Sequence, residues 1–247
     1  MRISIIILTC NQCRLTLQCL ASLGTLPPDV EVILVDNGST DSTVSDVGRL
    51  FPGVIVVRLR ENIGVARGRN EGISRARGRY IMLLDNDTLP TPEAIMSLAA
   101  YLDANPSCAL VAPRLTDVHG HTQRSFRPFP GLLEKTRSLL HLTTDLIPAH
   151  KIPVLPFSPF YVIGAAQLVR RSVFEKIGLL DRRIFYGPED ADLCMRIRQA
   201  GIGEIIYLPS TTVVHRWQRA SRSPFSSLWR RHIMSLLYFY CRHRRFL

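Results

Sequence analysis

Short apolar runs alternate with segments of helical periodicity through the first half of the chain. Ile3–Leu8 is an almost unbroken aliphatic run, the pattern of a strand buried on both faces of a parallel sheet. Leu15, Cys19, Leu20 and Leu23 then recur at helical spacing, up to Gly24 and the Pro27, Pro28 breaker. Val30–Val35 predicts a second strand, Ser39 the cap of a helix running to Leu50, and Gly53–Leu59 a third strand. Gly64–Arg77 reads as helix and Tyr80–Leu84 as a fourth strand. Thr91, Pro92 and Glu93 supply cap, first-turn proline and first-turn acid for a helix over Ala94–Ala104, before a fifth strand at Cys108–Ala112. Repeated β-α-β units imply a parallel sheet with right-handed crossovers, which binds ligands at the carboxyl ends of its strands. Polar residues gather there: Thr9 and Asn11 after the first strand, Asp36, Asn37 and Gly38 after the second, and Asp85, Asn86 and Asp87 after the fourth.

The second half is less regular. Phe126–Phe160 holds six of the 16 prolines and scattered aromatics, so an irregular segment over the site is expected. Val162–Val169 then predicts a strand, Ser172–Gly178 a short helix, and Glu189–Ala200 a helix stopped by Gly201. Ile205–Leu208 and Thr211–His215 read as two short strands. Ser227–Arg244 reads as a helix whose apolar positions include Leu228, Ile233, Leu236, Leu237 and Tyr240, suited either to packing on the domain or to lying in a membrane interface.

At 46% hydrophobic and 21% charged residues, the 247-residue chain can bury a sizeable core, which excludes wholesale disorder. No apolar run approaches the ~18 residues of a membrane span, and the opening residues lack a small-residue cleavage site, so neither an integral span nor a secretory signal is expected. The formal charge is +11, and eight of the arginines lie from Arg216 onward without a single acid. Such a tail suits an anionic partner. The six cysteines follow no regular spacing, as in a reduced cytosolic protein. Cys10 and Cys13 form a C-x-x-C pair after a strand, which leaves a redox protein as one reading of the chain.

Three features carry chemistry. Asp85 and Asp87 end an apolar strand as a D-x-D pair, hard oxygen donors of the kind that hold Mg²⁺ or Mn²⁺ against phosphate oxygens. Glu189, Asp190 and Asp192 crowd the start of a helix, where they repel one another unless a cation or proton is near, so that one can be poised as a general base. His215 closes a strand, where an imidazole can act as a metal ligand.

With these features in view, the chain resembles the family 2 glycosyltransferases, and within them the rhamnosyltransferase-like branch. The resemblance rests on SIIILTCN over residues 4–11, VILVDNGSTDS over 32–42, ENIGVARGRNEG over 61–72, GRYIMLLDNDT over 78–88, GAAQLVRR over 164–171 and FYGPEDADLCMRIRQAG over 185–201. It implies a GT-A fold, an α/β domain with a mostly parallel sheet flanked by helices. This domain would cover residues 1–215, with a nucleotide-sugar-binding half (1–112) and an acceptor half (113–215), and 216–247 would form a basic tail.

The resemblance further implies an inverting transfer of a sugar from a nucleoside-diphosphate donor to an acceptor hydroxyl, in bacterial surface polysaccharide or glycolipid synthesis. Thr9 and Asn11 would line the nucleotide pocket, Asp36 would bond the pyrimidine base, and Asn62 and Arg69 would support that side of the cleft. Asp85 would lie near the ribose, with Asn86 beside it. Asp87 and His215 would hold a divalent cation, Mn²⁺ or Mg²⁺, and Asp190, supported by Glu189, would be the catalytic base. The acceptor would be a saccharide or lipid-linked, with no nucleic acid involved. The enzyme would be cytoplasmic, with peripheral contact at the inner face of the plasma membrane through the tail. Cys10 stands where relatives carry Tyr, and Arg67 and Arg69 make their loop unusually basic. A nucleotidyltransferase is the alternative enzyme class, although its usual Gly-rich loop after the first strand is absent here.

Overall fold

Side chains buried on both faces of the first strands build two cores, one on each side of a single sheet. A computed structural model of the chain describes residues 2–128, 145–217 and 227–243. Strands β1 (Ile3–Thr9), β2 (Val30–Asp36), β3 (Ile55–Arg58), β4 (Tyr80–Asp85), β5 (Thr88–Leu89), β6 (Cys108–Thr116), β9 (Ala166–Arg170) and β10 (Glu204–His215) form that sheet, in the order β3-β2-β1-β4-β9-β6-β10-β5. Ile5 and Ile7 point to one face, together with Cys19 and Leu20 of α1 (Cys13–Ser22), Val47 of α2 (Thr43–Leu50) and Leu98 of α4 (Pro92–Ala104). Ile6 points to the other face, with Ile73 of α3 (Val65–Arg75), Phe174 of α5 (Arg171–Ile177) and Ile197 of α6 (Glu189–Ala200). A strand covered by helices on both faces must be apolar throughout, which is why its sequence shows no alternation.

β9 runs antiparallel to both neighbours, β4 and β6, while β1, β2, β3, β4, β6 and β10 share one direction. All six therefore deliver their carboxyl ends to the same edge. Among the described residues no helix is long and apolar enough to cross a membrane.

Several boundaries differ from the sequence pattern. The run expected as one strand over Val162–Val169 is split. Tyr161–Val162 forms β8, paired with β7 (Phe126–Arg127) in a separate ribbon, and Gly164 and Ala165 carry the chain across to β9. The two expected strands 205–208 and 211–215 are one, β10, with a register shift between Leu208 and Thr212 against β6. Helix α2 opens at Thr43, where Asp41 Oδ1 accepts the Thr43 N–H, so Ser39 does not cap it. The expected irregular segment does have order in its described parts: Phe126 and Phe157 pack edge-on against each other and both reach Tyr207 of β10. Residues 129–144 of that segment lie outside the described residues.

The C-terminal helix α7 (Ser227–His243) packs on the domain. Leu236, Phe239 and Tyr240 enter the α3/α6 core, while Met234 and Leu237 stay exposed. Its outer residue Arg244 lies outside the described residues.

Candidate active site

Asp87 and His215 are 128 positions apart, and strand pairing joins them. β5 runs antiparallel to the end of β10 with Thr88 opposite His215, and the Arg216 N–H donates to the Asp87 carbonyl at 2.9 Å. His215 Nε2 thereby comes within 3.4 Å of Asp87 Oδ1. One ligand atom each from Asp85, Asp87 and His215 falls within a 4.8 Å cluster.

The amide of Gln123 sets the imidazole. Its Nε2 donates to the His215 carbonyl at 2.7 Å, so its Oε1 must accept, and His215 Nδ1 lies 2.8 Å away. In the neutral imidazole Nδ1 carries its hydrogen toward Gln123 and Nε2 is the ring acceptor, facing a carboxylate oxygen. Two electron-rich atoms in opposition are relieved by a cation between them, and a carboxylate–carboxylate–imidazole set suits Mn²⁺ or Mg²⁺. Trp217 stacks on the same ring at 6.1 Å between centroids.

Arg69 joins this corner to the second acidic stretch. It is 2% exposed on α3, and its Nη2 donates to Asp85 Oδ1 at 2.5 Å and to the Gly164 carbonyl at 2.8 Å, while Nη1 reaches Glu189 Oε1 at 3.4 Å. Gly164 also faces the helix start, because its N–H donates to Asp190 Oδ2 at 3.0 Å. A Cβ on Gly164 would lie 2.8 Å from Arg69 Nη1, so only glycine lets the guanidinium and Asp190 close on the same peptide. The acids of β4 and of α6 thus share one buried cation and the Gly164 peptide.

The three acids at the start of α6 do different things. Asp190 is half-buried, and its Oδ1 also accepts the Ala191 N–H at 2.7 Å, which fixes the carboxylate at a helix N-terminus favourable to its charge. Glu189 is 8% exposed, with Oε2 buried and without a hydrogen-bond partner among the described residues. Burial, added to by the charge of Asp190 and opposed by Arg69, pushes its carboxyl up to about 7. Asp192 turns away from the cleft. It accepts from Arg196 Nε at 2.8 Å and meets His243 Nε2 at 2.9 Å, tying α7 to α6. The expected mutual repulsion of three acids is therefore a crowding of two, since Asp192 pairs with Arg196 and Arg242.

Several residues that the resemblance puts in a nucleotide pocket tie together the loops at the carboxyl edge of the sheet. Thr9 Oγ1 lies 2.7 Å from Thr16 Oγ1, and Asn86 Nδ2 donates to both hydroxyls at 3.1 Å, which anchors the turn after β4 from within. Asn11, at φ 52°, accepts through Oδ1 from the Thr40 and Asp41 N–H groups and binds the first loop to the second. Asn62 accepts from Asn37 and from the Gly64 N–H. Asp36 is fully buried: Oδ1 accepts the Ser39 N–H at 3.1 Å, and Oδ2 has no partner among the described residues. Gly38, at φ 81°, lets this loop close on the Glu61 backbone, which a Cβ would approach to 2.5 Å.

Gln123 and Gly164 were not recognisable in this role from the sequence. Gln123 lies at the edge of an aperiodic stretch, and a glycine before a strand gives no sign of what approaches it. All six cysteines are free. Cys10 Sγ accepts from Asn62 and Cys13 Sγ contacts Asp46, and burial pushes the Cys10 thiol up, against the low value a redox pair needs.

An N-acetylglucosaminyl-diphospho-decaprenol L-rhamnosyltransferase of Mycobacterium tuberculosis is 27% identical over 251 residues, covering 90% of this chain and 78% of the relative. The rhamnosyltransferase WbbL of Escherichia coli is 28% identical over 200 residues, covering 78% of this chain and 72% of that protein. Among solved structures, a mannosyltransferase of Pyrobaculum calidifontis, in complex with GDP-Man and Mn²⁺, superposes with a TM-score of 0.66 at 20% identity over 98% of this chain. This chain spans 64% of that longer one, and the likeness shows the GT-A fold. The family model for glycosyl transferase family 2 matches residues 4–178, and the chain belongs to that family.

Proposed function

We propose that the protein moves a sugar, rhamnose by analogy with its named relatives, from a nucleoside-diphosphate donor to a hydroxyl of a saccharide or lipid-linked acceptor, with inversion at the anomeric carbon. The Arg69 network carries this reading, because it joins a candidate cation-binding corner to the acids at the start of a helix. The donor belongs on the 1–112 half and the acceptor over the 113–215 half. Asp36, with a buried acceptor atom to spare, would receive an N–H of the pyrimidine base.

Asp87 and His215, with Asp85 beside them, would hold a divalent cation, Mn²⁺ or Mg²⁺, which supplies Lewis-acid stabilisation of charge on the leaving diphosphate. Arg69 keeps Asp85 oriented toward that corner. On the opposite face of the sugar Asp190, held by the Gly164 and Ala191 amides, takes the acceptor proton as the hydroxyl attacks, and no covalent intermediate on the protein is needed. Glu189 leans on Arg69 behind the base and keeps water from that side. The arginine-rich segment from Arg216 onward would bring the enzyme to the inner face of the plasma membrane.

A donor screen tests the reading: nucleotide sugars, with and without Mn²⁺, followed by release of the nucleoside diphosphate in wild type and Asp190→Asn. Release that needs Mn²⁺ and falls with the substitution is the expected result. Metal-independent release at an equal rate in the variant would refute it.

A further inference from the structure

Arg67 and Arg69 both belong to the unusually basic α3 start, and the active site uses only Arg69. Arg67 faces the opposite side of α3 and lines a separate cavity of ≈490 Å³, where α3, the loop after α5, α6 and α7 meet. Five guanidinium groups border this cavity, from Arg67, Arg182, Arg183, Arg196 and Arg242, against the two carboxylates of Glu71 and Asp181. None of the candidate active-site residues lines it.

The two acids are already engaged. Glu71 pairs with Arg75 at 2.8 Å. Asp181 accepts from Arg183, from the Tyr238 hydroxyl at 2.8 Å and from Arg242 at 2.7 Å. Against burial, which pulls the other way, these partners hold its carboxyl down to about 2, so it is charged and matched.

Several donors are not matched. Arg67 spends only Nε, on the Arg182 carbonyl at 2.9 Å, and the Arg182 guanidinium makes no hydrogen bond or ion pair among the described residues. Arg196 is 9% exposed, held by Asp192 and by the Ile177 and Gly178 carbonyls, yet its Nη2 is buried without a partner among the described residues. Buried guanidinium nitrogens are seldom left unpaired, and converging arginines with spare N–H groups match the oxygens of a phosphate.

We propose that this cavity is a second ligand site, separate from the sugar-transfer centre, that binds a phosphate or diphosphate group. Ile177, Leu179 and Leu180 give the same cavity an apolar wall, Leu179 being 38% exposed. The phosphate can therefore belong to a lipid headgroup or to a free anion, and the wall provides the means to tell them apart. The site stands independently of the proposed transfer reaction.

Calorimetric titration of the full-length protein with inorganic pyrophosphate, in low salt with EDTA to silence the metal corner, is the test. Saturable binding is expected, weakened about tenfold or more in Arg67→Gln/Arg182→Gln as charge-assisted hydrogen bonds are lost, with Mn²⁺-dependent nucleoside diphosphate binding unchanged. Both side chains are exposed, so the double variant should fold, which thermal melting verifies. Farnesyl diphosphate binding more tightly than pyrophosphate would assign the phosphate to a lipid, and equal affinity would assign it to a free anion. No pyrophosphate binding in EDTA, or the same affinity in the double variant, would overturn the proposal.

Discussion

Asp85 and Glu189 share one arginine and live in different media. The Asp85 side chain keeps 39% of its surface open, at the tip of a strand, whereas that of Glu189 keeps 10% at the buried start of a helix. The same guanidinium lies 2.5 Å from one and 3.4 Å from the other. Burial and the neighbouring Asp87 charge raise the Asp85 carboxyl too, but there the close guanidinium opposes them most directly. Where water is excluded and the pair is longer, burial wins and the carboxyl holds its proton up to about 7. One residue therefore braces two acidic corners that differ in exposure and in the closeness of the pair, and both are raised by burial.

The largest effect expected from breaking this arrangement is at the base itself. Asp190→Asn should lower kcat by about 10²–10⁴ with donor affinity nearly unchanged, read from steady-state nucleoside diphosphate release. Near-normal turnover would remove Asp190 as the base and leave the two corners without division of labour.

Arg69→Met strips the shared cation from both acids. Leaving a buried charge uncompensated should cost about 3–5 kcal/mol at pH 8, measured by urea unfolding, with a smaller loss at pH 5, where Glu189 is protonated. Equal losses at the two pH values would show that Glu189 is not what the arginine neutralises.

Glu189→Gln sharpens the comparison from the sealed side. The folded state keeps this proton to about pH 7 while the unfolded chain releases it near 4.5, so the penalty is absent below pH 4.5, grows as pH rises to 7 and stays constant above. Removing the group should flatten that window and raise stability at pH 8 by about 2–3 kcal/mol relative to pH 4.5. A stability profile parallel to wild type would contradict it.

The smallest change concerns the open side. Gln123→Leu frees the His215 ring and should weaken Mn²⁺ affinity by about 10–100-fold, with the fold intact, as followed by calorimetry with nucleoside diphosphate present. An unchanged affinity would mean that the imidazole needs no second partner.

Much of the fold was legible because burial on both faces writes itself into composition. The aliphatic runs of β1, β2 and β4 and the Thr91–Pro92 helix start lie where the pattern puts them, and Thr91 Oγ1 does accept the Ala94 N–H at 3.2 Å. The pattern failed at Ile163–Ala165, where an apolar run continues although the strand does not, since hydrophobicity alone cannot tell which sheet a residue joins. The candidate acids were legible as types at strand and helix ends. Their partners were less so: Asp192 resembles Glu189 and Asp190 in sequence, and although Arg196 follows it by one helical turn, only the docking of α7 brings His243 to it.

The amino-acid order by itself determined the alternation of strands and helices and the family motifs that bring acids to the carboxyl edge, because those depend on local periodicity and on contiguous residues. Tertiary structure alone decided that Thr88 faces His215, that Gly164 leaves room for Arg69, and that Arg67 turns away into a second basic cavity. Each of these is a contact between segments distant in the chain, and packing density and close electrostatic pairing, which set such contacts, leave no periodic trace in sequence.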